Sequence, residues 1–112
     1  MRIAIPLAQG RLSLHFGHCD EFALVDVDSQ ARRVTGIQRQ VAPSHAPGVL
    51  PQWLSHRHVN VVIAGGMGSR AQMLFVQNGI DVVIGATTGS PEEIATAYLN
   101  ETLQTGTNIC DH

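Results

Sequence analysis

The sequence predicts an α/β domain, a mixed sheet of about five strands carrying three helices. Three observations lead there. Residues 59–103 alternate strand and helix patterns, which calls for parallel strands joined by right-handed crossovers. Residues 21–40 read instead as two strands around the turn Asp28-Ser29-Gln30, an antiparallel hairpin at one side of the sheet. The 112 residues suffice for one real core and not for two, so residues 1–112 are expected to form a single domain.

Each element has its own warrant. Residues 2–7 (Arg-Ile-Ala-Ile-Pro-Leu) form a short buried strand, and residues 8–19 leave it as a loop. Residues 21–27 (Glu-Phe-Ala-Leu-Val-Asp-Val) are apolar and β-branched enough for a second strand. Residues 33–40 alternate weakly, and their polar and arginine content suits a sheet edge. Pro43, Pro47, Gly48 and Pro51 make residues 41–51 a structured loop that leads into a short helix, with Pro51 in its first turn. Val49, Leu50, Trp53 and Leu54 share the face of that helix that meets the sheet, while His56 and His58 at its end are solvated or near its C-terminal dipole.

Residues 59–64 (Val-Asn-Val-Val-Ile-Ala) carry the continuous apolar run of a strand buried on both faces. They open into the turn Gly65-Gly66-Met67-Gly68-Ser69-Arg70, and a helix follows through Ala71, Met73, Leu74 and Phe75 to a stop at Gly79. Residues 80–84 are the next buried strand, leading to the loop 85–89. Ser90-Pro91-Glu92-Glu93 then gives a cap, a proline at the first helical position and a capping-box glutamate. The apolar face of this last helix is Ile94, Ala95, Tyr98, Leu99 and Leu103, and the tail 104–112 has no helical pattern.

Composition narrows the function classes. Hydrophobic residues make up 44% and charged residues 14%, with a net charge of −2, and all seven bases are arginine. No basic stripe exists to hold a phosphate backbone, so nucleic acid is not an expected partner. No signal-like segment or long apolar run appears, so a cytoplasmic protein with reduced thiols and no membrane role is expected. Six histidines are many for so small a chain, and the two cysteines, Cys19 and Cys110, do not make a disulfide scaffold.

In open α/β sheets ligands sit beyond the carboxyl ends of the parallel strands. Three loops leave those ends, 8–19, 65–70 and 85–89, and their convergence is the physical argument for one shared site. The first carries Ser13-Leu14-His15-Phe16-Gly17-His18-Cys19, with imidazole and thiol groups suited to borderline and soft metals, and Gly17 where the backbone must turn. The second aims backbone N–H groups and a helix N-terminus into the crevice and adds Arg70, which suits an anion. It lacks the lysine of a nucleotide-binding loop, and its glycines also fit a purely packing role. Met67 and Met73 suit core filling better than ligation. His45 lies in the loop 41–51, and Cys110-Asp111-His112 offers thiolate, carboxylate and imidazole in a row. Asp20, Glu21, Asp26 and Asp28 are not paired as acid and base, and no serine sits in a nucleophile elbow, so no catalytic constellation is visible.

Taken together, several motifs resemble the dinitrogenase iron–molybdenum cofactor-binding family, the NifX/NafY-like proteins and the C-terminal region of NifB. They are Ser13-x-His15-Phe16-Gly17-His18-Cys19 with Phe22 and Asp26, and His45-x-Pro47-Gly48-x-Leu50-Pro51-x-Trp53-Leu54. With them stand Ala64-Gly65-Gly66-Met67-Gly68-x-Arg70-Ala71, Gly79-Ile80-x-Val82-x-x-Gly85-Ala86, Tyr98-Leu99 and Cys110-Asp111-His112. The match runs nearly end to end and looks most like the small stand-alone members, among them a molybdenum–copper orange protein. The resemblance implies a ribonuclease H-like fold and non-catalytic binding or carriage of an anionic metal–sulfur cluster, a Mo–Cu or Fe–Mo sulfide that can be absent from purified protein. It implies Ser13, His15, Gly17, His18, Gly65, Gly66, Met67, Gly68, Ser69 and Arg70 around the cluster. The metal ligands would be drawn from His15, His18, Cys19, His45, Cys110 and His112. With no radical-SAM segment, a small carrier working with cluster donor and acceptor proteins is expected.

Three other readings stay open: a simple zinc or copper module, a Cys19–Cys110 thiol redox sensor, and an enzyme acting on a small anion at Gly65–Arg70.

Overall fold

The computed structural model describes residues 1–43, 48–87 and 89–106. Six strands and three helices follow in the order β1 (Arg2–Ala8), β2 (Arg11–Leu12), β3 (Glu21–Asp28), β4 (Arg33–Val41), α1 (Val49–Ser55), β5 (Val61–Ile63), α2 (Ser69–Gln77), β6 (Asp81–Val83) and α3 (Pro91–Leu99). The sheet order is β4-β3-β1-β5-β6, with β2 paired to β1 alone. β1, β5 and β6 are parallel, and β3 and β4 add the expected antiparallel hairpin on one side with β4 at the edge.

The sheet has two buried faces because its strands alternate. Ile3, Ile5, Leu7, Val25, Val61 and Ile63 meet Ile94, Ala95 and Leu99 of α3 on one face. Ala4, Phe22, Leu24 and Val62 meet Leu50, Leu54 and Phe75 of α1 and α2 on the other. Burying a side chain of that size contributes about 1.5–3 kcal/mol each, so packing on both faces holds the central strands β1, β3 and β5 in place.

Three details of strand and helix extent differ from the sequence reading. β2 is an extra strand, made by a two-residue turn at Gln9 (φ 55°) and Gly10 (φ 81°); positive φ at both positions matches the right-handed twist of a tight hairpin. β6 is an edge strand with Asp81 exposed and Val82 and Val83 half-buried, because only β5 pairs with it. α3 ends at Leu99: Glu101 turns to φ 58°, and Leu103 reaches the core from beyond the helix. Pro6 lies inside a central strand but beyond the β1–β5 ladder, which pairs only Ile3 and Ala4, so its missing N–H breaks no bond there. No helix among the described residues is long and apolar enough to cross a membrane.

Candidate functional site

The loop after β2 is sewn back onto the sheet at both ends. Ser13 donates its backbone N–H to the Pro6 carbonyl at 2.9 Å, and Asp20 donates to that of Leu7 at 2.9 Å. Between them Phe16 turns inward, 8% exposed, with its ring 5.5 Å from Phe75 and 6.0 Å from Phe22. A short 3-10 turn spans Phe16–His18. With phenylalanine as the anchor, the flanking His15 and His18 face outward, both exposed, their ring centroids 5.3 Å apart.

This loop rests directly on the glycine turn after β5. Phe16 donates its N–H to the Gly66 carbonyl at 2.9 Å. A Cβ at Gly65 would stand 3.0 Å from Leu14 Cα and 3.1 Å from the Ser13 carbonyl oxygen, so only glycine lets the two segments approach this closely. The third loop joins them: Gly85 donates to the Gly65 carbonyl at 2.7 Å, and Leu12 to that of Gly89 at 3.3 Å. The three strand-end loops therefore meet, as the sequence predicts.

The helix that starts there is uncapped by any side chain. Gly68 is the N-cap and makes no side-chain cap bond, and the first backbone bond into the helix is Gln72 to Gly68 at 3.1 Å. The N–H groups of Ser69, Arg70 and Ala71 precede it, so they and the positive end of the helix dipole face outward beside the exposed Arg70. Two outward imidazoles, an uncapped helix start and a guanidinium suit a polarisable anion better than a bare cation. Among the described residues no group of three or more His, Cys, Asp or Glu side chains is placed to hold a metal ion.

The sequence-predicted residues divide into two sets. His15, Gly17, His18, Gly68, Ser69 and Arg70 reach the surface or its margin. Ser13, Cys19, Gly65, Gly66 and Met67 do not, because they pack beneath it. Ser13 is 3% exposed and its hydroxyl donates to the His15 carbonyl; Met67 is fully buried against the α2 face. Burial pushes the Cys19 thiol up to about 11, which disfavours the thiolate a metal needs. Gly17 is not in the left-handed region, and among the described residues a Cβ there would meet nothing within 4 Å, so the turn itself does not require glycine. His56 and His58 are exposed at the end of α1, as expected. His45, Cys110, Asp111 and His112 lie outside the described residues.

The sequence reading missed the Phe16–Phe75 anchor, whose signal was a phenylalanine between two histidines opposite an apolar helix position. It also missed an open groove of about 450 Å³ lined by Ser90, Glu92, Glu93, Thr96 and neighbouring residues of α3. That groove offers carboxylates and hydroxyls but no imidazole or thiol.

Fold and site together define a class, an α/β protein whose parallel strand ends gather exposed imidazoles around an uncapped helix. Within that class, the chain belongs to the dinitrogenase iron-molybdenum cofactor family, whose model matches residues 1–101. It is 33% identical over 95 residues to the uncharacterised MJ0580 protein of Methanocaldococcus jannaschii, covering 82% of this chain and 80% of that one. The crystal structure of PH0822 superposes with a TM-score of 0.86 at 28% identity, covering 96% of each chain. The apo form of the orange protein from Desulfovibrio gigas shares the fold, with a TM-score of 0.69 at 21% identity over 96% of this chain and 93% of that one.

Proposed function

We propose that this protein binds and carries an anionic metal–sulfur cluster, a Mo–Cu or Fe–Mo sulfide, without transforming it. The observation that carries the reading is the seating of the His15–His18 pair against the glycine turn that feeds the uncapped start of α2. Membership of the dinitrogenase iron-molybdenum cofactor family supports cofactor binding in general. A thiometallate carries negative charge over soft sulfur and a metal that accepts imidazole nitrogen. Here the amides of Ser69 and Arg70, with the Arg70 guanidinium, oppose that charge, and His15 and His18 supply nitrogen donors. His45, Cys110 and His112 remain additional ligands in this proposal. The cluster is cargo, so the protein's partners are the proteins that supply and receive it, in the cytoplasm.

The test is loading with tetrathiomolybdate and copper(I), followed by the charge-transfer spectrum of the wild type and of His15→Ala. The wild type should colour and the variant should lose most of that absorption. Equal colour in both would remove His15 from the site, and no colour in either would refute cluster binding of the Mo–Cu type.

A further inference from the structure

Ser13 is the one polar side chain in the buried interior among the described residues, at 3% exposure. A hydroxyl taken out of water is costly unless it is bonded, and Ser13 Oγ donates to the His15 carbonyl oxygen at 2.7 Å. That same oxygen accepts the backbone N–H of His18 at 3.0 Å. A carbonyl has two lone pairs, and here both are engaged by the residues on either side. One atom therefore links the backbones that carry the two imidazoles, whose centroids lie 5.3 Å apart. Ser13 is itself fixed, because its own N–H bonds to Pro6 at the end of β1 at 2.9 Å.

We infer that Ser13 is a positioning residue, which holds His15 and His18 side by side before the cluster arrives and never touches it. The inference rests on the reading above that this pair faces the cargo. It differs from the sequence expectation that Ser13 lines the cluster. Side chains that must be ordered at the moment of binding weaken affinity, and a pair ordered in advance does not. A hydrogen-bonded support beneath a ligand acts in the same way in metal sites.

Two variants separate positioning from mere stability. Ser13→Ala removes the donor, and Ser13→Cys keeps the volume with a much weaker one, so the second guards against a failure to fold. Val27→Ala is the control, a buried residue at the far end of β3, whose N–H bonds to Met1. NMR measures the NOE between the carbon-bound ring protons of His15 and His18, and titration with tetrathiomolybdate measures affinity. Both Ser13 variants should lose the NOE and bind about tenfold more weakly or worse, while Val27→Ala keeps both properties. A Ser13→Ala or Ser13→Cys protein that keeps the NOE, or binds like the wild type, overturns the inference. A wild type that takes up no tetrathiomolybdate counts against the cluster reading instead, and the NOE comparison then decides the role of Ser13 on its own.

Discussion

The two ends of the parallel strands treat their polar groups in opposite ways. Where the strands begin, charges are matched: Arg2 pairs with Asp26 at 2.8 Å and donates to the Arg57 carbonyl at 2.7 Å. Arg57 in turn lies 4.0 Å over the Trp53 ring and donates to Gln40 at 2.8 Å. Where the strands finish, His15, His18 and Arg70 are exposed and the start of α2 lacks a side-chain cap. The finishing end is held instead by aromatic packing and close backbone contact, with His15, His18 and Arg70 at the surface above them.

Variants can break that contrast, beginning with the largest effect. Phe75→Ala removes the ring on which Phe16 rests and should cost about 3–5 kcal/mol in urea denaturation, with the histidine loop loosened first in hydrogen exchange. Gly65→Ala forces a methyl against the backbone of Leu14 and should cost about 1–3 kcal/mol, measurable in the same way.

Alkali sharpens the burial of Cys19. Its thiol is raised to about 11, so the fold favours the protonated form. That preference adds stability below the ordinary thiol range and is lost as pH rises toward 11. The stability gap between wild type and Cys19→Ala should therefore narrow in that alkaline window, and iodoacetamide should label Cys19 only slowly near neutrality. At the beginning end, Asp26→Asn breaks a half-exposed pair and should cost about 0.2–1 kcal/mol, less in high salt, with no effect on cluster uptake. Gly68→Ala is the one variant of this set expected not to destabilise the fold. Its φ of −64° and ψ of 152° suit alanine, so melting should be unchanged or raised by about 0.4–1 kcal/mol. A methyl beside the helix start should nonetheless weaken tetrathiomolybdate binding. Glycines three residues apart in one turn would then be shown to serve different ends.

Much of this was legible beforehand. Buried runs, the Ser90–Glu93 capping box and the hairpin pattern fixed the element order, because each depends on local periodicity or chemistry; the cap indeed forms, with Glu93 accepting from the Ser90 N–H at 3.2 Å. The meeting of three loops followed from the rule about strand ends. What the residues could not reveal was depth. Ser13 and Cys19 look as available as His15 in a string of letters, yet the inward turn of Phe16 buries both and leaves the imidazoles outside. The two-residue β2 is too short to carry a period, and Gly65 is distinguished from Gly68 only by what lies within reach of its missing side chain.

The most direct measurement is the metal and acid-labile sulfide content, with the ultraviolet–visible spectrum, of the protein taken from its native host. Carriage of a thiometallate predicts molybdenum together with sulfide and a charge-transfer band. Stoichiometric zinc, with no molybdenum and no sulfide, would contradict it.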